Sequence, residues 1–142
     1  YIGTKDVGFD TTISYQTGVV IPSEDFANFR LAPENSVFVC AEGGSAGRKV
    51  AFTEKDVFFG NKLYAIVSGP EMNSKLIFYF CLSDSFQRQF KSRMSGIIGG
   101  VNQKKFKTTT HFEELTAGRY SCLKCELMQW ITFLKPKRSH II

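Results

Sequence analysis

Six positive charges and no acid fall within residues 85–112 of this 142-residue chain: Arg88, Lys91, Arg93, Lys104, Lys105 and Lys107. A glycine turn, Gly96-Ile97-Ile98-Gly99-Gly100, separates the two groups, and two amides, Asn102 and Gln103, stand beside the lysines. Cations attract phosphates, and an amide offers the donor–acceptor pair that matches a base edge. Such residues after a permissive turn suit contact with nucleic acid. A solvated basic face is the plainer explanation of any single charge run. The charge distribution argues against it. Residues 1–60 carry five Lys/Arg and eight Asp/Glu, and residues 61–142 carry thirteen and five, so balances of −3 and +8 make up the net +5. A pI near 9.1 with its excess in one half points to a polyanionic partner. An anionic membrane would want a polybasic cluster or an amphipathic basic helix. Lys135-Pro136-Lys137-Arg138 is the one such cluster, short and close to the end, so nucleic acid is favoured.

Other constellations are weaker. Gly43-Gly44-Ser45-Ala46-Gly47 matches G-x-S-x-G, the nucleophile elbow of serine hydrolases, and Asp84 and His111 follow in triad order. That chemistry needs a helix directly after the serine. Here the sequence continues Arg48-Lys49-Val50-Ala51-Phe52, which reads as a strand. A small serine hydrolase using Ser45 therefore stands as an alternative. The same run fails as a phosphate loop, because Lys49 lacks the preceding glycine and the following Ser/Thr. Cys122-x-x-Cys125 supplies half a zinc site. Cys40, Cys81, His111 and His140 would have to complete it by coincidence of fold. No carboxylate pair suggests acid–base work. No cofactor and no metal are expected.

The elements that must position these residues can be read from pattern. With 43% hydrophobic residues and fourteen phenylalanines, the chain has enough apolar mass for a packed core. No apolar run approaches the roughly 20 residues of a membrane span. The opening is no signal peptide and lacks an initiator methionine, which suggests a piece of a longer protein. Four sparse cysteines suit buried thiols in a reducing cytoplasm. Residues 36–40, 50–52, 57–59 and 63–67 read as strands separated by turns. Across 74–94, Phe78, Leu82, Phe86, Phe90 and Met94 recur every four residues, the stripe of an amphipathic helix. Asp84 and Gln87 resemble a capping box, which predicts two helices broken near Ser83. Gly96 is a natural stop. Residues 97–106 read as strand-like. A last helix is predicted over 121–134, its stripe of Leu123, Leu127, Trp130, Ile131 and Leu134 folding back on the body, with self-association as the alternative.

Between Asn35 and Phe106 these features follow an order that resembles a target-recognition domain of the DNA-specificity (S) subunit of type I restriction–modification systems. Gly44-Ser45-Ala46-Gly47-Arg48 stands where that family carries a G-S-x-G-R turn. Phe59-Gly60-Asn61-Lys62-Leu63 is similar to the strand that brings in a polar residue. The run from Phe78 to Gln87 matches an aromatic helix followed by a second helix, and a glycine-rich segment ends at Lys105-Phe106. Tyr1-Ile2-Gly3-Thr4-Lys5-Asp6 resembles an internal strand that normally follows an earlier segment. The chain departs from the family after the basic segment, where Thr108-Thr109-Thr110-His111 stands in place of a proline-rich entry to the spacer helix. It has room for one recognition domain, not the usual two.

The resemblance implies an α+β fold, an irregular β-rich recognition domain with a helical pair and a C-terminal helix that starts a spacer. Residues 1–115 would form the recognition domain, N-terminally incomplete, and 116–142 a helical segment and basic tail. The resemblance also implies a cytoplasmic, non-catalytic subunit that reads one half of a bipartite double-stranded DNA target. Methyltransferase subunits carrying S-adenosylmethionine, and restriction subunits through them, would be its partners. Three loops would make the DNA-binding face: Ser45, Arg48 and Lys49; Asn61 and Lys62; and Asn102, Gln103, Lys104, Lys105 and Lys107. The lysines are expected to hold phosphates, and Arg48, Asn102 and Gln103 to face base edges. A partner-binding structural domain, with the basic segment idle, is the remaining alternative.

Overall fold

The computed structural model describes residues 1–69, 73–97, 99–109 and 140–141. They form an α+β fold. Strands β1 (Arg30–Ala32), β2 (Val37–Cys40), β3 (Val50–Phe52), β4 (Val57–Phe59) and β5 (Leu63–Val67) precede helices α1 (Ser74–Leu82), α2 (Asp84–Arg93) and α3 (Gln103–Thr109), and β6 (His140–Ile141) follows. Two short 3-10 segments, Tyr15–Thr17 and Ser23–Asn28, lie ahead of β1. One antiparallel sheet has the order β3-β2-β5-β6, and β1 pairs with β4 in a second.

The four strands read from sequence are all present, and the reason is visible in β2. Its Val-Phe-Val-Cys run is buried at every position because both faces of the sheet are covered. Successive side chains point to opposite faces, so the run divides. Val37 and Val39 join the helix side with Tyr64, Ile66, Ile77, Phe80, Phe86, Phe90 and Phe106. Phe38 and Cys40 join the other layer with Ile2, Ala32, Val57, Phe59 and Leu63. Phe38 stands opposite Ala51 on one neighbouring strand and Ala65 on the other. Small residues on both sides make room for the ring, which then packs 5.3 Å from that of Phe59. A register slip of one residue would turn Phe38 to the wrong layer. Cys40 and Cys81 are free and buried, and burial pushes the Cys81 thiol far above its ordinary range.

The helical region corrects three details. The break at Ser83 is where the sequence placed it, but the cap is Ser83 itself: its Oγ accepts from the Phe86 amide at 3.3 Å. Gln87 leaves the capping role and donates to the carbonyls of Gly47 and Cys81 at 2.8 and 2.9 Å. The extended backbone at Ser83 also resets the helical phase. Instead of one continuous stripe, α1 buries Ile77, Phe80 and Cys81 while Leu82 is exposed. In α2, Phe86 and Phe90 are buried as expected. Finally, the described residues among 97–106 are not a strand. Apart from a single bridge between Gly100 and Glu42, the segment turns and enters α3, because Asn102 caps a helix: its Oδ1 accepts from the Lys105 amide at 2.9 Å. Phe106 anchors α3, buried against Tyr64, Phe86 and Phe90. The helix predicted over 121–134, Cys122 and Cys125 of the half zinc site, and His111 lie outside the described residues.

Candidate nucleic-acid interface

The three loops singled out from sequence meet at one place, the segment Ala41-Glu42-Gly43 that leaves β2. The Ala41 amide donates to the Lys62 carbonyl at 2.8 Å, tying in the β4–β5 loop. The Ala41 carbonyl accepts from the Val101 amide at 3.0 Å, and the Gly43 amide donates to the Gly99 carbonyl at 2.8 Å. Glycine is needed for this approach. A Cβ on Gly100 would come within 2.9 Å of the Glu42 Cβ and 3.1 Å of the Ala41 carbonyl oxygen. Gly99, Gly100 and Val101 are thus tied by backbone hydrogen bonds and one bridge to the segment that leaves β2, which places the start of α3 beside it.

Around this junction lies a cleft of about 690 Å³ lined by Glu42, Asn61, Tyr64, residues 95–97 and 99–101, Asn102 and Gln103. Three of the predicted residues, Asn61, Asn102 and Gln103, thus share one surface. Their side chains are not equally available. Asn61 Oδ1 accepts from Arg30 Nη2 at 3.1 Å, and Arg30 is itself held over the Phe59 ring at 4.7 Å. Asn102 Oδ1 is committed to the cap of α3. Gln103 is exposed, and among the described residues its side chain has no protein partner. Bidentate contact with a base would use both halves of an amide; Gln103 keeps both halves available, whereas Asn102 Oδ1 is spent on the cap. Tyr64 closes the back of the cleft, its hydroxyl donating to the Val101 carbonyl at 2.7 Å. Burial and the nearby Glu42 carboxylate raise the Tyr64 pKa above its ordinary value.

The cations divide in the same way. Lys104 is exposed on the first turn of α3. Lys105 Nζ reaches Ser95 Oγ at 3.3 Å, and Lys107 is exposed one turn on. Lys62 forms an ion pair with Glu42 at 3.4 Å, with both side chains largely in solvent; such a pair is worth at most about 1 kcal/mol and opens readily. Lys49 is turned away from the cleft, its Nζ donating to the Thr4 carbonyl at 2.9 Å. Arg48 is exposed, donates to the Gly44 carbonyl at 3.3 Å and lies 5.0 Å from the centre of the Phe9 ring. Lys49 Nζ lies 5.1 Å from the same ring. Phe9 went unnoticed in the sequence, where nothing marks an aromatic forty residues from its cations as their partner.

Ser45 sits in a turn that runs into strand β3, not into a helix, so the elbow geometry is absent. Its Oγ lies 3.5 Å from the Cys40 sulfur. Among the described residues no group of three or more His, Cys, Asp and Glu side chains is placed to hold a metal, and no helix is long and apolar enough to cross a membrane. Comparison with known proteins returns no match: no family model, no curated protein and no solved structure is similar to this chain.

Proposed function

We propose that this chain binds double-stranded DNA as a target-recognition domain, reading one half of a bipartite sequence for methyltransferase and restriction subunits that perform the chemistry in the cytoplasm. The observation that carries the reading is the convergence of the three loops on Ala41-Glu42-Gly43. It gathers Asn61, Asn102 and Gln103 around one open cleft, and Lys105 reaches Ser95 of its lining at 3.3 Å, with Lys104 exposed on the same helix. Amides beside cations on one surface combine base-edge contact with phosphate contact. Glu42 fits the same role, since a carboxylate at the cleft can accept from a cytosine amino group.

Binding of a mixed-sequence duplex measured while salt is raised tests this directly. Each neutralised phosphate contributes roughly 0.9 to the slope of log affinity against log salt. A negative slope that shrinks on Lys104→Glu/Lys105→Glu supports the reading. Affinity independent of salt, or unchanged by the double reversal, would refute it and leave a partner-binding structural domain.

A further inference from the structure

A second cleft, of about 510 Å³, is lined by the 43–48 turn and α2. The dividing positions are one residue wide. Glu42 lines the first cleft and Gly43 the second; Ser95 lines the first and Met94 the second. Into the second cleft face Arg48 from the turn, and Arg88 and Lys91 from α2, with Asp84 as the single acid in its lining. Arg88 and Lys91 are three apart on a helix and so share a face. Both are exposed, and among the described residues neither has a hydrogen-bond or ion-pair partner. The rest of the lining is Gly43, Gly44 and Ala46 from the turn and Gln87, Phe90 and Met94 from the helix side, so its floor is apolar and its charge is carried by the three cations and Asp84. The turn is held in place because Gln87 clamps α2 to the Gly47 carbonyl at 2.8 Å. Three cations against one carboxylate, beside the side-chain-free backbone of Gly43 and Gly44, make a receptacle for a compact oxyanion.

We infer that this cleft is a phosphate site, occupied by a phosphodiester of the DNA strand whose bases face the neighbouring amide-lined cleft. The inference rests on the DNA-binding reading for its occupant, but not for the chemistry of the site. Arg88 and Lys91 would hold the phosphate, and Arg48 would close over it from the turn. The two clefts lie side by side along the same pair of segments, as a strand that presents a base edge and then its adjacent phosphate requires.

The test compares the intact chain with Arg88→Ala/Lys91→Ala, using Lys55→Ala/Lys75→Ala as a control that removes the same charge outside both clefts. Duplex affinity is measured across a salt series, and inorganic pyrophosphate is titrated while the Gly43 and Gly44 amide resonances are followed. The expected result is a salt slope lower by roughly 0.9 in the cleft variant, the value for one phosphate, with the control closer to wild type. Pyrophosphate should shift the glycine amides in wild type and not in the cleft variant. Pyrophosphate binding without duplex binding would keep the phosphate site, assign it to a small phosphorylated ligand and discard the DNA reading. Duplex binding with equal slopes in the two double variants would overturn the site, as would glycine amides unmoved by pyrophosphate.

Discussion

The backbone of Gly47 lies directly against the Phe90 ring: a Cβ at position 47 would approach Cδ1 within 2.5 Å, at a φ of +71°. Both facts demand glycine, and the ring cannot yield because Phe90 is buried against Phe86 and Phe106. This contact sets the spacing between the 43–48 turn and α2, and with it the width of the second cleft. Gly47→Ala should cost about 1–3 kcal/mol, the usual range for overpacking a filled core. Urea denaturation of the variant would show it, and a midpoint equal to wild type would mean that the turn and helix are not packed as described.

How far the sequence reached depends on whether a segment's neighbours are local. The strands were legible because Ser36 to Val67 alternates apolar runs with turn residues, and nothing distant needs to be known to read them. The break at Ser83 was legible from its cap chemistry. The phase of α1 was not, since the choice between Phe78 and Ile77 as the inward residue is made by the sheet beneath them. In the sequence Asn102 reads as an amide near lysines and so as a reader of bases. Its position three residues before Lys105 carried the second meaning, a helix cap, which the glycines ahead of it obscured. The convergence of the three loops depends on backbone hydrogen bonds between Ala41, Lys62, Gly99 and Val101, contacts that no local pattern encodes. Arg88 and Lys91 belong to the basic stretch of the sequence, yet their sharing of a cleft with Arg48 appears only in three dimensions.

Tyr64 gives the fold a pH dependence. Its pKa is raised above 10.0 by burial first and by Glu42 second, so the folded protein holds this proton more tightly than the unfolded chain does. The stabilisation is therefore complete below about pH 10 and declines as pH rises through the folded-state value. Tyr64→Phe removes the hydrogen bond to the Val101 carbonyl and should cost about 1 kcal/mol at neutral pH. The gap between wild type and variant should narrow above about pH 10. A gap that stays constant into alkaline solution would mean that Tyr64 ionises alike in both states.

Ser45 should be inert. A serine nucleophile needs the exposed apex of a strand-to-helix turn and a base within reach. Ser45 instead precedes a strand and lies beside the Cys40 thiol. Incubation with a fluorophosphonate probe is expected to leave the chain unlabelled. Labelling that is abolished by Ser45→Ala would restore the hydrolase alternative.

Asn102 and Gln103 adjoin in sequence but should behave oppositely. Asn102 Oδ1 satisfies the Lys105 amide at the start of α3, so Asn102→Ala should lower stability by about 1 kcal/mol, whereas Asn102→Asp, which preserves the acceptor, should not. Gln103 caps nothing, and its exposed side chain has no protein partner among the described residues. Gln103→Ala should therefore leave stability within about 0.5 kcal/mol of wild type. Its effect should appear in recognition. If Gln103 contacts a base, the variant should bind a selected duplex and its single-base relatives more evenly, with about 1–3 kcal/mol of discrimination lost at one position. Contact with phosphate alone would weaken all duplexes alike. Paired denaturation and anisotropy measurements separate these outcomes. Discrimination that survives Gln103→Ala and falls with Asn102→Asp would reverse the assignment, making the cap residue the reader.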